Sequence, residues 1–161
     1  QRGPAWCTAE DSLQIDQTAS VVFAMGRHAR GLDERERLAF LEEVWEPPRH
    51  AADYLVATIS AETGLHSTAF DLWETFRGTF TYSNAAISAA LREAAYLARH
   101  TRQDRVASKW EATAAAIKGA IMSRLWQGDV FGADDETPWG LERIELLQVE
   151  PIDERLVGLG R

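Results

Sequence analysis

An apolar repeat of three to four residues returns through five successive segments, and it constrains this chain more than any other feature. Thr18, Val21, Val22, Met25 and Ala29 follow the helical spacing i, i+3, i+4, i+7. Gly31 suits the end of that helix, because glycine tolerates the left-handed conformation found there. Asp33, with Glu36 three residues on, has the form of a capping box, so a second helix begins at that point. Its apolar face is Leu38, Leu41, Val44 and Trp45. Pro47 and Pro48 break it and fit the first turn of a third helix. The third carries a stripe of Ala51, Tyr54, Leu55, Thr58 and Ile59 and is expected to end at Thr63-Gly64.

Residues 64–80 read as irregular. A fourth helix runs from about Asn84 to about Arg99, with Thr81 and Ser83 as candidate caps. One side of it is alanine (Ala86, Ala90, Ala94 and Ala98) beside Ile87 and Leu91, small enough for a partner backbone to come close. A fifth runs from about Asp104 to about Trp126, with Val106, Trp110, Ala114, Ile117, Ile121 and Leu125 on one face and Gly128 behind it. On this reading Trp110 and Trp126 belong to the core. Asp134-Asp135-Glu136 reads as a solvated loop, residues 142–147 as a short helix, and Pro151 as a turn before another.

No segment reads as a strand. Short connections make consecutive helices antiparallel. The expectation is an all-α fold of antiparallel helical hairpins, in one partial domain over residues 1–161. Periodicity leaves a bundle, an α-solenoid and an arc of an α/α barrel open, and the lack of a clean internal repeat weighs against the solenoid.

Composition narrows the partners. The 161 residues amount to one domain. With 17 Lys+Arg against 25 Asp+Glu the net charge is −8, which repels phosphate backbones and argues against nucleic acid. Uncharged runs such as 113–117 are far too short to cross a membrane. Cys7 stands alone, so neither a disulfide framework nor a thiolate cluster is expected. His28, His50, His66 and His100 show no pair at metal-ligand spacing, and no metal is expected. No Ser/His/Asp motif is present. No stretch reads as a signal peptide, which favours the cytoplasm without fixing a location. The chain opens on Gln1, has its first methionine at Met25 and ends in what reads as the start of another element, so it is expected to be a piece of a longer protein.

The chemistry concentrates in Asp71-Leu72-Trp73-Glu74, two carboxylates and an indole between helices. Connections held by a rigid scaffold are where reactive groups tend to sit. An indole offers a flat apolar surface to a sugar ring. A Glu packed on an indole is desolvated, which raises its pKa and suits it to be a general acid. The same residues also fit a purely structural arrangement, with Trp73 plugging the core and Glu74 capping the segment that follows.

The motif has company in a fixed order. Tyr54-Leu55, Thr63-Gly64-Leu65, Phe70-Asp71-Leu72-Trp73-Glu74, Arg77-Gly78 and Phe80-Thr81-Tyr82-Ser83 lead into the alanine-rich 89–98. Lys109-Trp110-Glu111, Ala116-Ile117-Lys118 and Ala120-Ile121 follow, with Leu13-Gln14-Ile15-Asp16-Gln17-Thr18-Ala19 upstream and 141–147 and 149–157 downstream. This series resembles family 15 of the glycoside hydrolases, the glucoamylase-like enzymes. The likeness covers nearly the whole chain and is most specific over residues 52–83.

The resemblance implies an (α/α)6 barrel, of which this chain would be an arc, with a pocket at one end. It implies hydrolysis of α-glucosidic bonds with inversion, releasing glucose from an oligosaccharide or disaccharide, with no cofactor. Glu74 would be the general acid, Leu72 and Trp73 would line the sugar subsite, and Asp71 would shape the connection. Trp6 matches, more loosely, a sugar-stacking tryptophan. Asp16 fits a pocket-facing residue and a helix cap equally well. Two departures bear on specificity: Thr75 stands where relatives often carry a second Glu, and Phe76 replaces a basic residue, with Arg77 nearby. Trehalose- or dextran-type substrates are therefore compatible. The catalytic base and an Arg-Asp sugar-binding pair would come from later and earlier helix pairs outside this chain. The rest of the parent catalytic domain is thus the expected partner, and the isolated 161 residues are expected to hydrolyse nothing measurable. The alternative is a non-catalytic α-helical toroid module that binds carbohydrate or protein. Thr75 leans toward it, and the intact Asp-Leu-Trp-Glu leans more strongly toward the enzyme.

Overall fold

Five helices carry the fold: α1 (Ile15–Gly31), α2 (Glu34–Val44), α3 (Glu46–Ala57), α4 (Thr81–His100) and α5 (Asp104–Ala120). The structure is a computed structural model and describes residues 14–70 and 77–126, together with the backbone of residues 133–134. Sequence punctuation explains several boundaries. At the start of α2, Asp33 Oδ1 accepts the Glu36 N–H at 2.8 Å and Glu36 Oε2 accepts the Asp33 N–H at 3.2 Å. Both reach amides that the first turn would otherwise leave without partners, which is worth about 1 kcal/mol. The two prolines sit in the first turn of α3, where a missing N–H is harmless. α5 continues into a π-helical turn, Ile121–Leu125, before Trp126 leaves the helix in an extended conformation. Gly128 and residues 142–161 lie outside the described residues.

Three short strands correct the purely helical expectation. β1 (Ala69–Phe70), β2 (Arg77–Phe80) and β3 (Ala133–Asp134) form a sheet in that order. Both pairings are antiparallel, with Ala69 opposite Gly78, Phe70 opposite Arg77, Thr79 opposite Asp134 and Phe80 opposite Ala133. Strands of two to four residues are too short to leave an alternating pattern in a sequence. Asp134, expected in a solvated loop, is part of this ladder through its backbone. α3 also stops earlier than Thr63-Gly64. After Ala57 the chain turns, Gly64 takes a left-handed φ of 72°, and Ile59 bridges to His66.

The helices form two layers. Asp16, in the first turn of α1, acts electrostatically on His66, which binds the backbone N–H of Phe80 just before α4. Gly26 and Arg30, late in α1, meet Glu93 in the second half of α4. These two helices therefore run parallel, packed side by side. Trp45 and Asp53 meet Trp110, while Arg124 Nη2 donates to the Glu62 carbonyl at 3.1 Å, so α3 and α5 also run parallel. α4 and α5 are antiparallel, since Arg99 pairs with Glu111 near their junction and Ser88 Oγ donates to the Ala114 carbonyl farther away. Consecutive helices thus alternate in direction, as expected.

The buried faces differ in part from the expected ones. On α1 the core side is Ile15, Ala19, Val22, Gly26 and Ala29, while Val21 is 60 % exposed. α4 lies against a ridge of small residues, and that close approach selects the face instead of the larger Val21. On α2, Leu41 and Trp45 are buried but Leu38 is half-exposed; on α3, Pro48, Ala52 and Leu55 face inward and Tyr54 does not. The expected faces of α4 and α5 hold: Ile87, Ala90, Leu91, Ala94 and Ala98 are fully buried, as are Trp110 and Ile117. Trp126 is 39 % exposed and is not a core residue. Among the described residues no helix is long and apolar enough to cross a membrane.

Gly26 gives a sharp test of the α1–α4 contact. A Cβ built there would stand 2.3 Å from Glu93 Cβ, which cannot swing away as a side-chain tip can. In an exposed helix Gly→Ala gains up to about 1 kcal/mol. Here overpacking is expected to reverse the sign, so that Gly26→Ala destabilises by roughly 1–3 kcal/mol in urea unfolding. Glu93→Ala keeps the Cβ and should not rescue it, whereas Glu93→Gly should recover part of the loss.

Candidate active site

His66 is the node from which the site is built. Its side chain is only 1 % exposed, although the residue sits between a turn and a strand. Nδ1 lies 2.6 Å from the Ser67 carbonyl, which can only accept, so Nδ1 carries the proton. Nε2 then accepts the Phe80 N–H at 3.1 Å. The backbone is used as well: the His66 N–H donates to Asn84 Oδ1 at 2.9 Å, and the His66 carbonyl accepts from Thr79 Oγ1 at 3.1 Å. Asn84 Nδ2 donates to the Phe80 carbonyl at 2.8 Å. Two buried polar side chains thereby join the 65–67 segment, the end of β2 and the first turn of α4.

This node explains how α4 begins. Phe80 is the N-cap and makes no side-chain cap bond, so Thr81 and Ser83 do not serve as the caps expected of them. Asn84, one turn inside, reaches back to the Phe80 carbonyl instead. Ser83 is buried.

The node also holds the base of the motif. β1 ends at Phe70 and β2 begins at Arg77, and those two residues are paired across the ladder. The Arg77 guanidinium lies 5.7 Å from the centre of the Phe70 ring. Asp71, Leu72, Trp73 and Glu74, with Thr75 and Phe76, lie outside the described residues, and so does Trp6. Both ends of the 71–76 connection are nevertheless fixed at the N-terminal ends of α1 and α4.

Asp16 belongs to the same end. It is not a cap: Gln14 holds that position, and Asp16 sits inside the first turn of α1 at 1 % exposure. Its Oδ1 is buried without a hydrogen-bond partner among the described residues. Its charge acts on His66. The sequence had no means of singling out His66 or Asn84, because their partners are 14 and 18 residues away along the chain. Among the described residues no group of three His, Cys, Asp or Glu side chains is placed to hold a metal.

Comparison with known families gives one match: the model described as Glycosyl hydrolases family 15 covers residues 7–139. No curated protein matches the chain. The matched stretch includes the 71–76 connection, both strands that flank it and all five helices.

His66 makes the node sensitive to pH. Burial pushes the imidazole below its ordinary value of 6.5, against the opposing pull of the Ser67 carbonyl and of Asp16. The unfolded chain therefore takes up this proton before the folded one does. The stabilisation is complete above pH 6.5 and is lost as pH falls below it toward the folded value. Protonation would also remove the acceptor used by the Phe80 N–H. Urea midpoints between pH 7.5 and 5 should fall steadily in the wild type. His66→Gln, with an amide that does not titrate, should flatten that dependence.

Proposed function

This chain belongs to glycosyl hydrolases family 15, and from that membership we propose that it forms the acid-bearing part of a catalytic domain that hydrolyses α-glucosidic bonds with inversion. One observation carries the assignment of the site. The connection that holds Asp71-Leu72-Trp73-Glu74 leaves and re-enters the fold at a strand pair, Phe70 with Arg77, anchored by His66 and Asn84 at one end of two parallel helices. A scaffold of this kind limits how far an acid can stray from the bond it protonates, and misplacement by 1 Å can cost 100-fold in rate, roughly. The two layers of parallel helices support the reading of the chain as an arc of an α/α barrel.

The mechanism follows from the residue types. Glu74 gives its proton to the glycosidic oxygen as the bond from C1 to that oxygen breaks. Trp73, beside it in sequence, supplies an apolar surface that keeps the acid desolvated and protonated near neutral pH. Trp73 and Leu72 line the sugar subsite, Asp71 shapes the connection, and Trp6 stacks on a sugar ring. Water attacks C1 from the opposite face, and a second carboxylate from outside this chain takes its proton. The two carboxyl groups stand roughly 6.5–9.5 Å apart to admit that water. Thr75 is shorter and neutral where an acidic group would contact the neighbouring sugar, so the preferred glucoside is set there.

In the full-length protein, glucose release from maltose, maltooligosaccharides and trehalose identifies the substrate. Glu74→Gln should lower kcat by about 100- to 10,000-fold with the far-UV circular dichroism unchanged. Full activity in that variant would remove Glu74 from the role. A folded wild-type protein that binds glucosides and cleaves none would instead establish the non-catalytic toroid module. Early proton NMR of the product should show β-glucose, and α-glucose would contradict inversion.

A further inference from the structure

Asp16 has no structural explanation in what has been described. A carboxylate at 1 % exposure with a buried oxygen left without a partner among the described residues costs stability. Its place in the first turn of α1 offsets part of that through the helix dipole. No arginine or lysine is paired with it among the described residues. The other buried carboxylate, Glu93, differs in this respect, since Arg30 Nε reaches Glu93 Oε2 at 2.7 Å. That pair lies beside Gly26, ten residues along α1 and so about 15 Å away. It does not neutralise Asp16.

The charge faces the end of the fold from which the 71–76 connection runs. Its effect is felt at His66, the titratable group that responds to it among the described residues. His66 in turn holds Phe80, beyond the far end of that connection. A negative charge in a poorly solvated region raises the proton affinity of any carboxylic acid nearby.

We infer that Asp16 acts through the general acid, keeping the proton on Glu74 until the glycosidic oxygen takes it. The inference rests on the reading of Glu74 as the acid. Asp16 is a positioning residue for the proton and makes no contact with substrate. A side chain that weakens the fold at the reacting end, and nowhere gains a partner there, fits a residue kept for chemistry.

The test uses the full-length protein with Asp16→Asn, which keeps the shape and removes the charge, and Asp16→Glu, which keeps the charge. Asp16→Asn should melt no lower than the wild type. Its alkaline limb of kcat against pH should move to lower pH by roughly half a unit or more, with little change in KM. Asp16→Glu should hold the limb in place. His66 imidazole resonances should titrate at lower pH in Asp16→Asn, a readout that needs no activity. An unmoved alkaline limb in Asp16→Asn, alongside an inactive Glu74→Gln, overturns this inference and leaves the acid assignment standing. An unmoved His66 titration, or an Asp16→Asn protein that no longer folds, overturns it too. A fully active Glu74→Gln removes both readings together.

Discussion

The contact between α1 and α4 is the constraint on which the rest of the structure depends. At Gly26 there is no room for even a methyl group, because Glu93 already occupies that space. The carboxylate that fills it is buried and is neutralised by Arg30, whose guanidinium also lies 3.9 Å from the centre of the Tyr96 ring. A buried charge is tolerable only when it is paired. Distance between the helices, choice of buried face and placement of charge are therefore one arrangement. With α1 and α4 locked side by side and parallel, both helix N-termini come to the same end of the fold, and the connection between β1 and β2 comes with them.

A second constraint orders that end. Short strands have little stability of their own, since two or three ladder bonds do not offset the entropy of fixing the chain. The sheet is held because His66 and Asn84 each bond to segments distant in sequence. Their polar groups are buried and satisfied, and such a network tends to specify one arrangement over its neighbours. The outer layer has its own counterpart. Trp110 is fully buried, stacks obliquely against Trp45 with ring centres 6.2 Å apart, and donates its Nε1–H to Asp53 at 3.2 Å. That bond fixes α5 against α3 and leaves the reacting end to the inner pair.

Helix existence was legible because periodicity and punctuation are local. Asp33 with Glu36, the two prolines before α3 and the run from Trp110 to Leu125 each act within a turn or two of the chain. The buried side of α1 was not legible. Val21 outranks Gly26 on any scale of hydrophobicity, yet Gly26 is inside and Val21 outside, because the partner selects for closeness and not for apolar area. The strands were missed for the opposite reason, being too short to carry a pattern. Asp16 illustrates both limits: helix cap and pocket-facing residue were equal readings, and burial excluded the first.

The sequence by itself determined the family, the run of helices and the motif Asp71-Leu72-Trp73-Glu74, since all three are written in residue order and short spacing. Only the tertiary structure decided that α1 and α4 lie parallel, that His66 and Asn84 support the base of that motif, and that Asp16 is a buried charge at the same end. The physical reason is range. Helix propensity and capping are settled within a few residues, whereas close packing and the pairing of buried polar groups depend on residues that meet only once the chain has folded.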